Sequence, residues 1–468
     1  MTSPVIMWFR QDLRLSDHAA LSAAAAAGPI IPLFILDDET PGEWCWGGAS
    51  RWWLHKSLEA LNEKLPLLLR RGRADLVLEQ MIAETGASAV YFTRDYAPWS
   101  PTLEEHVKVV CDRRSVTCHR HGGFLLHEPE HIKNGSGTFF KVYTPFSRAC
   151  FVAGVTRAAR PVAKVQRWTG NVQSDSLADW NLLPAKPNWG TGFESLWQPG
   201  EAGAQQRLHD FLDDGLKGYA DGRDRPSAPH FSRLSPHLHW GEISPLQVWQ
   251  ATSQRIAASD GALDRDGEKF LKEILWREFS YHLLFNVPHL PTKPFREEFS
   301  DFPWGENQTA IAQWQRGETG YPIVDAGMRE LWATGFMHNR VRMIVASFLI
   351  KHLLVQWQKG EAWFWDTLVD ADIASNAASW QWVAGCGADA APYFRIFNPF
   401  LQGEKFDPKG EYVRKWVPEL KDVPDACLHK PWTAPILPRG YPSPMIDHGV
   451  ARARALEAFA KLKAGTQS

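Results

Sequence analysis

The sequence predicts an α/β class chain in two parts: an N-terminal doubly wound parallel-sheet domain followed by an all-helical domain. Three observations carry this expectation. Up to residue 121 short apolar runs alternate with helix-patterned segments, from 122 to 200 the periodicity fades into turn residues, and from 201 onward helical segments follow one another. A chain of 468 residues has ample length for two packed domains with large cores.

Taken in order, residues 5–9 read as a strand, 10–14 as a loop and the Ala-rich stretch 17–27 as a helix. The pattern repeats with strands over 30–36, 67–70, 88–92 and 116–119, and helices over 49–65, 74–85 and 101–111, the last with Pro at an early position. Such alternation implies a parallel sheet covered on both faces. No Gly-x-Gly-x-x-Gly follows the first strand, so a dinucleotide site there lacks support, although such sheets hold other ligands at the carboxyl ends of their strands. The connector 122–200 is rich in Gly, Pro and Asn, with one island at 139–148 from which a helical run continues to 155. Helices are then expected over 204–213, 245–258, 267–284, 309–316, 323–334, 338–356, 362–369, 373–384 and 451–463.

Formal net charge is -2, so no whole-chain basic field announces a nucleic acid, and any such site must be a local patch. The six Cys residues show no metal-ligand spacing and no disulfide framework, which points to a reducing cytoplasm and to no metal. Neither a leader nor a bilayer-length apolar run occurs. The 23 Trp residues exceed ordinary packing needs; they suit a Trp-rich core or a redox or stacking role.

The stretch from Asp370 to Trp382 concentrates the chemistry. If Asp372 caps a helix starting at Ile373, then Asp372, Asn376 and Trp380 recur at i, i+4, i+8 near one face, with Trp382 on another side. A capped, Trp-rich core helix has the same pattern, but it needs neither an acceptor-rich entrance nor a mid-helix Asn. Gly218 to Arg225 leads into Ser232-Arg-Leu-Ser235, whose N–H groups, hydroxyls and guanidinium suit a pyrophosphate and equally suit helix capping. Glu273, Trp276 and Arg277 share a helix face, where a Glu-Arg pair would contribute only a few tenths of a kcal/mol. Asn339 and Met343 share a face of the helix over 338–356, and Gln402 to Lys405 reads as a loop.

In this order the pieces resemble the DNA photolyase/cryptochrome family, most closely its bacterial cyclobutane pyrimidine dimer photolyases. The residues that carry the resemblance are Trp8 to Arg14, Ser232 to Ser235, Glu273 with Leu275 to Phe279, Thr319 to Ala326, Met337 to Met343, Asp370 to Trp382, and Asp389 to Pro399. It implies an antenna domain over 1–121, a connector over 122–200 and a helical FAD-binding catalytic domain over 201–468. The implied reaction is light-driven electron transfer from reduced FAD to a pyrimidine dimer flipped out of DNA.

Matched residue by residue, the resemblance implies that Tyr219, Ser232, Arg233, Leu234 and Ser235 serve the phosphate side of FAD. Arg277, Asp370, Asp372 and Asn376 would lie near its ribityl and isoalloxazine, with Asn376 facing N5. Trp380, Trp357 and Trp304 correspond to indoles that pass an electron inward from the surface. Glu273, Trp276, Asn339, Arg340, Met343 and Trp382 correspond to the dimer pocket, and Arg223, Gln402 and Lys405 to strand contacts. (6-4) photolyases carry a His pair suited to proton exchange on this face; Asn339 and Met343 stand there instead, which favours cyclobutane dimers. The expected partner is dimer-containing DNA, bound by a monomer.

Some positions depart from the family pattern. Phe231 stands where many relatives have Thr, and Phe270 where many have Trp. The stretch Asp95 to Ser100 lacks the Asn-Glu pair that grips folate in some bacterial photolyases, while Trp44, Trp46, Trp52 and Trp53 form clusters unlike theirs. The expected second chromophore is methenyltetrahydrofolate held partly by aromatic stacking, in preference to a deazaflavin or none. Cryptochrome signalling is the rival function, and the short tail after the last expected helix tilts against it.

Overall fold

Strands β1 (Val5–Phe9) and β2 (Ile30–Leu36) are buried at every position, as expected of parallel strands covered on both faces. The structure, a computed structural model, describes residues 3–391 and 394–465. Pro392 and Tyr393 of the motif ending at Pro399 lie outside the described residues. Between and after these strands come α1 (Ala19–Ala27), α2 (Gly48–Lys64), β3 (Leu68–Arg71), α3 (Ala74–Thr85), β4 (Ala89–Thr93), α4 (Ser100–Arg113) and β5 (Thr117–His121). The strands pair in parallel in the order β3-β2-β1-β4-β5, so β1 is central and the winding reverses beside it. β5 is the mostly exposed edge, and His119 and Arg120 on it discourage pairing with another chain.

Helices then follow: α5 (Tyr143–Ala153), α6 (Thr191–Glu194), α7 (Glu201–Asp210), α8 (Tyr219–Gly222), α9 (Ser235–His239), α10 (Pro245–Ala257) and α11 (Asp264–Asn286). After these come α12 (Gln308–Arg316), α13 (Pro322–Thr334), α14 (Asn339–Ser347), α15 (Trp357–Thr367), α16 (Ile373–Ala384), α17 (Pro399–Phe406), α18 (Glu411–Trp416) and α19 (His448–Gly465). The chain forms two compact units: one of Met1–Asn188, Trp197–Lys217 and Ser232–Pro288, the other of Trp189–Leu196, Gly218–Phe231 and His289–Ser468. No helix among the described residues is long and apolar enough to cross a membrane.

Two local expectations are corrected. The helix expected over 338–356 is α14 followed by one wider π-helical turn, Phe348–His352. Leu354 then takes a left-handed φ of +56°. One local and one tertiary bond mark the end of the helix: Val355 N donates to Leu349 O, and Gly305 N to Leu354 O. The second correction is at Gln402 and Lys405, which lie on α17 rather than in a loop. Asn398 caps that helix by accepting from Phe400 N and Leu401 N, and Pro399 occupies its first position.

In the unit holding α13, the conspicuous segment Thr319 to Ala326 forms a clasp. Buried Asp325 accepts from Thr319 N (2.7 Å), Thr319 Oγ1 (2.6 Å), Gly320 N (3.0 Å) and Tyr441 Oη (2.6 Å). Met445 N donates to Thr319 O, so the segment leading to α19 is fastened here.

Candidate functional site

α16 begins and ends where local chemistry places it. Asp372 Oδ1 accepts from Ser375 N at 2.7 Å, and Gly385 ends the helix with a φ of +91°. Asn376, one turn in, donates from Nδ2 to Glu361 O at 3.0 Å, which orients its amide. Asp370, just before the cap, accepts at both carboxylate oxygens from Arg342 Nη2, at 3.0 and 2.8 Å, and Arg342 Nε donates to Met337 O. The two acids and the amide therefore gather at one helix start. Arg342 has no role in the sequence reading, because its partner lies 28 residues away and no local pattern joins them.

The indoles are not gathered there. Trp380 is buried with its ring 5.0 Å from Phe364 and 6.4 Å from Trp314, and a Cβ added at Gly360 would lie 2.1 Å from it. Trp357 is buried and Trp304 is half-buried, tilted on Phe302 at 4.3 Å. Among the described residues neither makes a ring contact with Trp380. Trp382 points elsewhere and donates from Nε1 to Asp389 O at 3.1 Å.

On α11 the Glu273 carboxylate lies 3.8 Å from Lys269, not on Arg277. Trp276 lies flat on Tyr143, with centroids 3.6 Å apart and planes 6° from parallel. Tyr143 Oη also donates to Lys272 O, so one face of the indole is covered and its position set. Arg277 donates to Phe124 O at 3.1 Å and lies over the Phe124 and Tyr281 rings. Its neighbour Glu278 is buried and accepts from Leu126 N and His127 N; burial pushes its carboxyl up to about 7. Before α9, Ser232 Oγ accepts from Leu234 N at 3.4 Å, and Arg233 adopts a φ of +53°. The α9 segment is anchored by buried Glu242, which accepts from Trp53 Nε1 and Gly200 N and pairs with His237.

In the other unit, buried Tyr219 starts α8 beneath the Arg223 guanidinium. Arg340 pairs with Asp224 at 2.7 Å, and its guanidinium stacks on Phe406. Asn339 and Met343 share the first turns of α14 with it, and Lys405 Nζ lies over the same Phe406 ring. Phe231 packs between Phe336 and His338, an apolar job that a Thr there would not perform.

Comparison with known proteins identifies this arrangement. The profile for the FAD binding domain of DNA photolyase matches residues 270–461, and that for DNA photolyase matches residues 5–162. A deoxyribodipyrimidine photo-lyase of Agrobacterium fabrum is 50% identical over 99% of both chains. The chain belongs to the DNA photolyase/cryptochrome family. The crystal structure of a class III photolyase from Agrobacterium tumefaciens superposes with a TM-score of 0.95 at 49% identity, covering 99% of this chain and 98% of that one. Cryptochrome-1 of Arabidopsis thaliana is 35% identical over 98% of this chain and 70% of its own length.

The residues of this photolyase-family protein suit FAD. Arg277 Nη2 is buried without a protein acceptor among the described residues, a donor that a cofactor oxygen would satisfy. Ser232 and Ser235 add hydroxyls suited to phosphate, and Asp372 with Asn376 offers the mixed acceptors and donors that a flavin ring edge requires. Among the described residues no group of His, Cys, Asp and Glu could hold a metal ion.

Proposed function

We propose that the protein splits cyclobutane pyrimidine dimers in DNA under blue or near-ultraviolet light, acting as a cytoplasmic monomer. The observation that carries the choice of lesion is the start of α14, where Asn339 and Met343 offer no acid or base. The neighbouring imidazole, His338, is buried and accepts from Arg340 N through Nδ1; burial lowers its pKa to about 4, so at neutral pH it is the uncharged imidazole and not an imidazolium acid. A cyclobutane dimer needs none, since its two carbon–carbon bonds open once an electron arrives.

Tyr219, Ser232, Arg233, Leu234 and Ser235 are assigned to the phosphate side of FAD, and Arg277, Asp370, Asp372 and Asn376 to its ribityl and ring side. FAD, when bound and reduced, supplies the electron on illumination. Glu273 is assigned to hydrogen-bond the thymine edge, and Trp276, Trp382 and Met343 to apolar contact with the dimer. The stack on Tyr143 supports this role for Trp276, because an indole held on one face is a rigid platform for a base on the other. Trp380, Trp357 and Trp304 relay electrons from the surface, and Arg223, Arg340, Gln402 and Lys405 contact the strand.

For the second chromophore we favour methenyltetrahydrofolate over a deazaflavin. The switch point of the sheet beside β1 is filled by the chain's own charges, with Arg10 paired to Asp95 at 3.2 Å and Glu104 at 2.8 Å. In the same unit the half-buried Trp46, tilted on buried Trp240, is the indole assigned to stacking a flat pterin. Near-ultraviolet absorption beyond that of flavin in the purified protein tests this.

The deciding experiment assays both lesions in matched oligonucleotides with reduced enzyme and light. Dimer splitting with inert (6-4) product is expected, and Glu273→Ala should slow splitting more than it weakens binding. Efficient (6-4) reversal with inert cyclobutane dimers would overturn the assignment. Inactivity on both with flavin bound would favour a cryptochrome-type photoreceptor, the reading to which the Arabidopsis relative lends support.

A further inference from the structure

Arg340 stands at the second position of α14, where the positive end of the helix dipole disfavours a cation. Three neighbours in its own unit hold it there. Nη2 donates to Asp224 at 2.7 Å, Nη1 lies 3.7 Å from Met343 Sδ, and the Phe406 ring lies 4.5 Å from the guanidinium carbon. Nε is buried with no protein acceptor among the described residues, so one donor is left for a ligand. Asp224 also lies 3.8 Å from Arg223 Nε, which places one carboxylate between the two arginines assigned to DNA.

Such a carboxylate has two separable effects. It repels the phosphates of any DNA, damaged or not, by the same through-space interaction. It also fixes the guanidinium against Met343 and Phe406, an orientation that only a lesion delivered to the start of α14 exploits. We propose that Asp224 is the positioning residue of Arg340 and thereby sets the preference for damaged over undamaged DNA. The proposal rests on the reading of Arg223 and Arg340 as DNA contacts. An exposed ion pair kept only for stability would contribute little, and its loss would not alter that preference.

The test measures affinities for a dimer-containing duplex and an undamaged duplex of the same sequence across a salt titration. Asp224→Asn should raise undamaged-DNA affinity about threefold at low salt, as expected for one charge removed near a phosphate. The ratio of damaged to undamaged affinity should fall about tenfold, the scale of one misplaced bidentate contact. Asp224→Glu should restore most of the ratio. In an Arg340→Ala background, Asp224→Asn should lower the ratio no further, because both changes remove the same held guanidinium.

A fold defect lowers both affinities and cannot produce the rise on undamaged DNA. Equal falls in both affinities, or a ratio unchanged from the parent, would overturn the proposal, as would a full further loss in the Arg340→Ala background. If Arg340→Ala and Arg223→Ala each bind damaged DNA as the parent does at every salt, the DNA-contact reading itself fails and the proposal falls with it.

Discussion

Glu278 lies one position beyond Arg277 on α11, fully enclosed and accepting two backbone N–H groups. Its ordinary value of 4.5 is pushed up to about 7, so the carboxyl is protonated more readily in the fold than in the unfolded chain. The stability this contributes is present below about 4.5 and is lost as pH rises through about 7, with a total of about 3 kcal/mol. Glu278→Gln removes the titration while keeping an acceptor. Its melting temperature relative to the parent should therefore rise between pH 5 and pH 8, and a constant difference would mean the carboxylate stays charged throughout. A second residue-scale prediction concerns Trp380, packed against Gly360 and Phe364. Trp380→Phe should cost about 1–3 kcal/mol of stability and abolish or greatly slow light-driven reduction of oxidised FAD. Chemically reduced variant should still repair; photoreduction at the parent rate with an external donor would rule out the relay.

At the scale of elements, the clasp around Asp325 decides whether α19 stays docked. Gly320 has a φ of +77°, and a Cβ there would lie 2.4 Å from Ser443 O, so Gly320→Ala both strains the turn and pushes the C-terminal segment away. A loss of about 1–3 kcal/mol is expected, with faster hydrogen exchange over 441–465 and little change in the sheet. The same helix carries a pH response. His448 at its start meets buried His352 at 2.8 Å, and burial lowers both, His352 to about 3. Both are held below the ordinary 6.5, so their stabilisation is present above about 6.5 and is lost as pH falls toward the folded values. Exchange in α19, corrected for intrinsic rate, should be faster at pH 5 than at pH 7.5.

Over the whole molecule, a formal charge of -2 means that net charge draws no DNA to the surface. Binding must come from a few local cations, and the logarithm of affinity should fall with that of salt by about 0.9 per phosphate contacted. Arg340→Ala and Arg223→Ala should each reduce the slope by about 1. Variants with the parent's slope would move the DNA face elsewhere.

The sequence by itself determined the elements whose causes are local. Strands β1, β2 and β4 follow from apolar runs of strand length, and α16 spans the expected Ile373–Ala384 because Asp372 bonds its own first turn and Gly385 takes the left-handed stop. The start of α17 was equally legible in Asn398 and Pro399, although Gln402 and Lys405 suggest a loop when read alone. The ordered motifs were enough to indicate the family, since each holds its residues within a turn or two. Tertiary structure alone decided the partners: Asp370 with Arg342, Asp224 with Arg340, and Trp276 with Tyr143. It also contributed to where the helix after His338 stops, through the bond from Gly305 to Leu354. Most of these contacts join segments tens to over a hundred residues apart, and local propensity carries no information about which distant group will complete a hydrogen bond or charge pair.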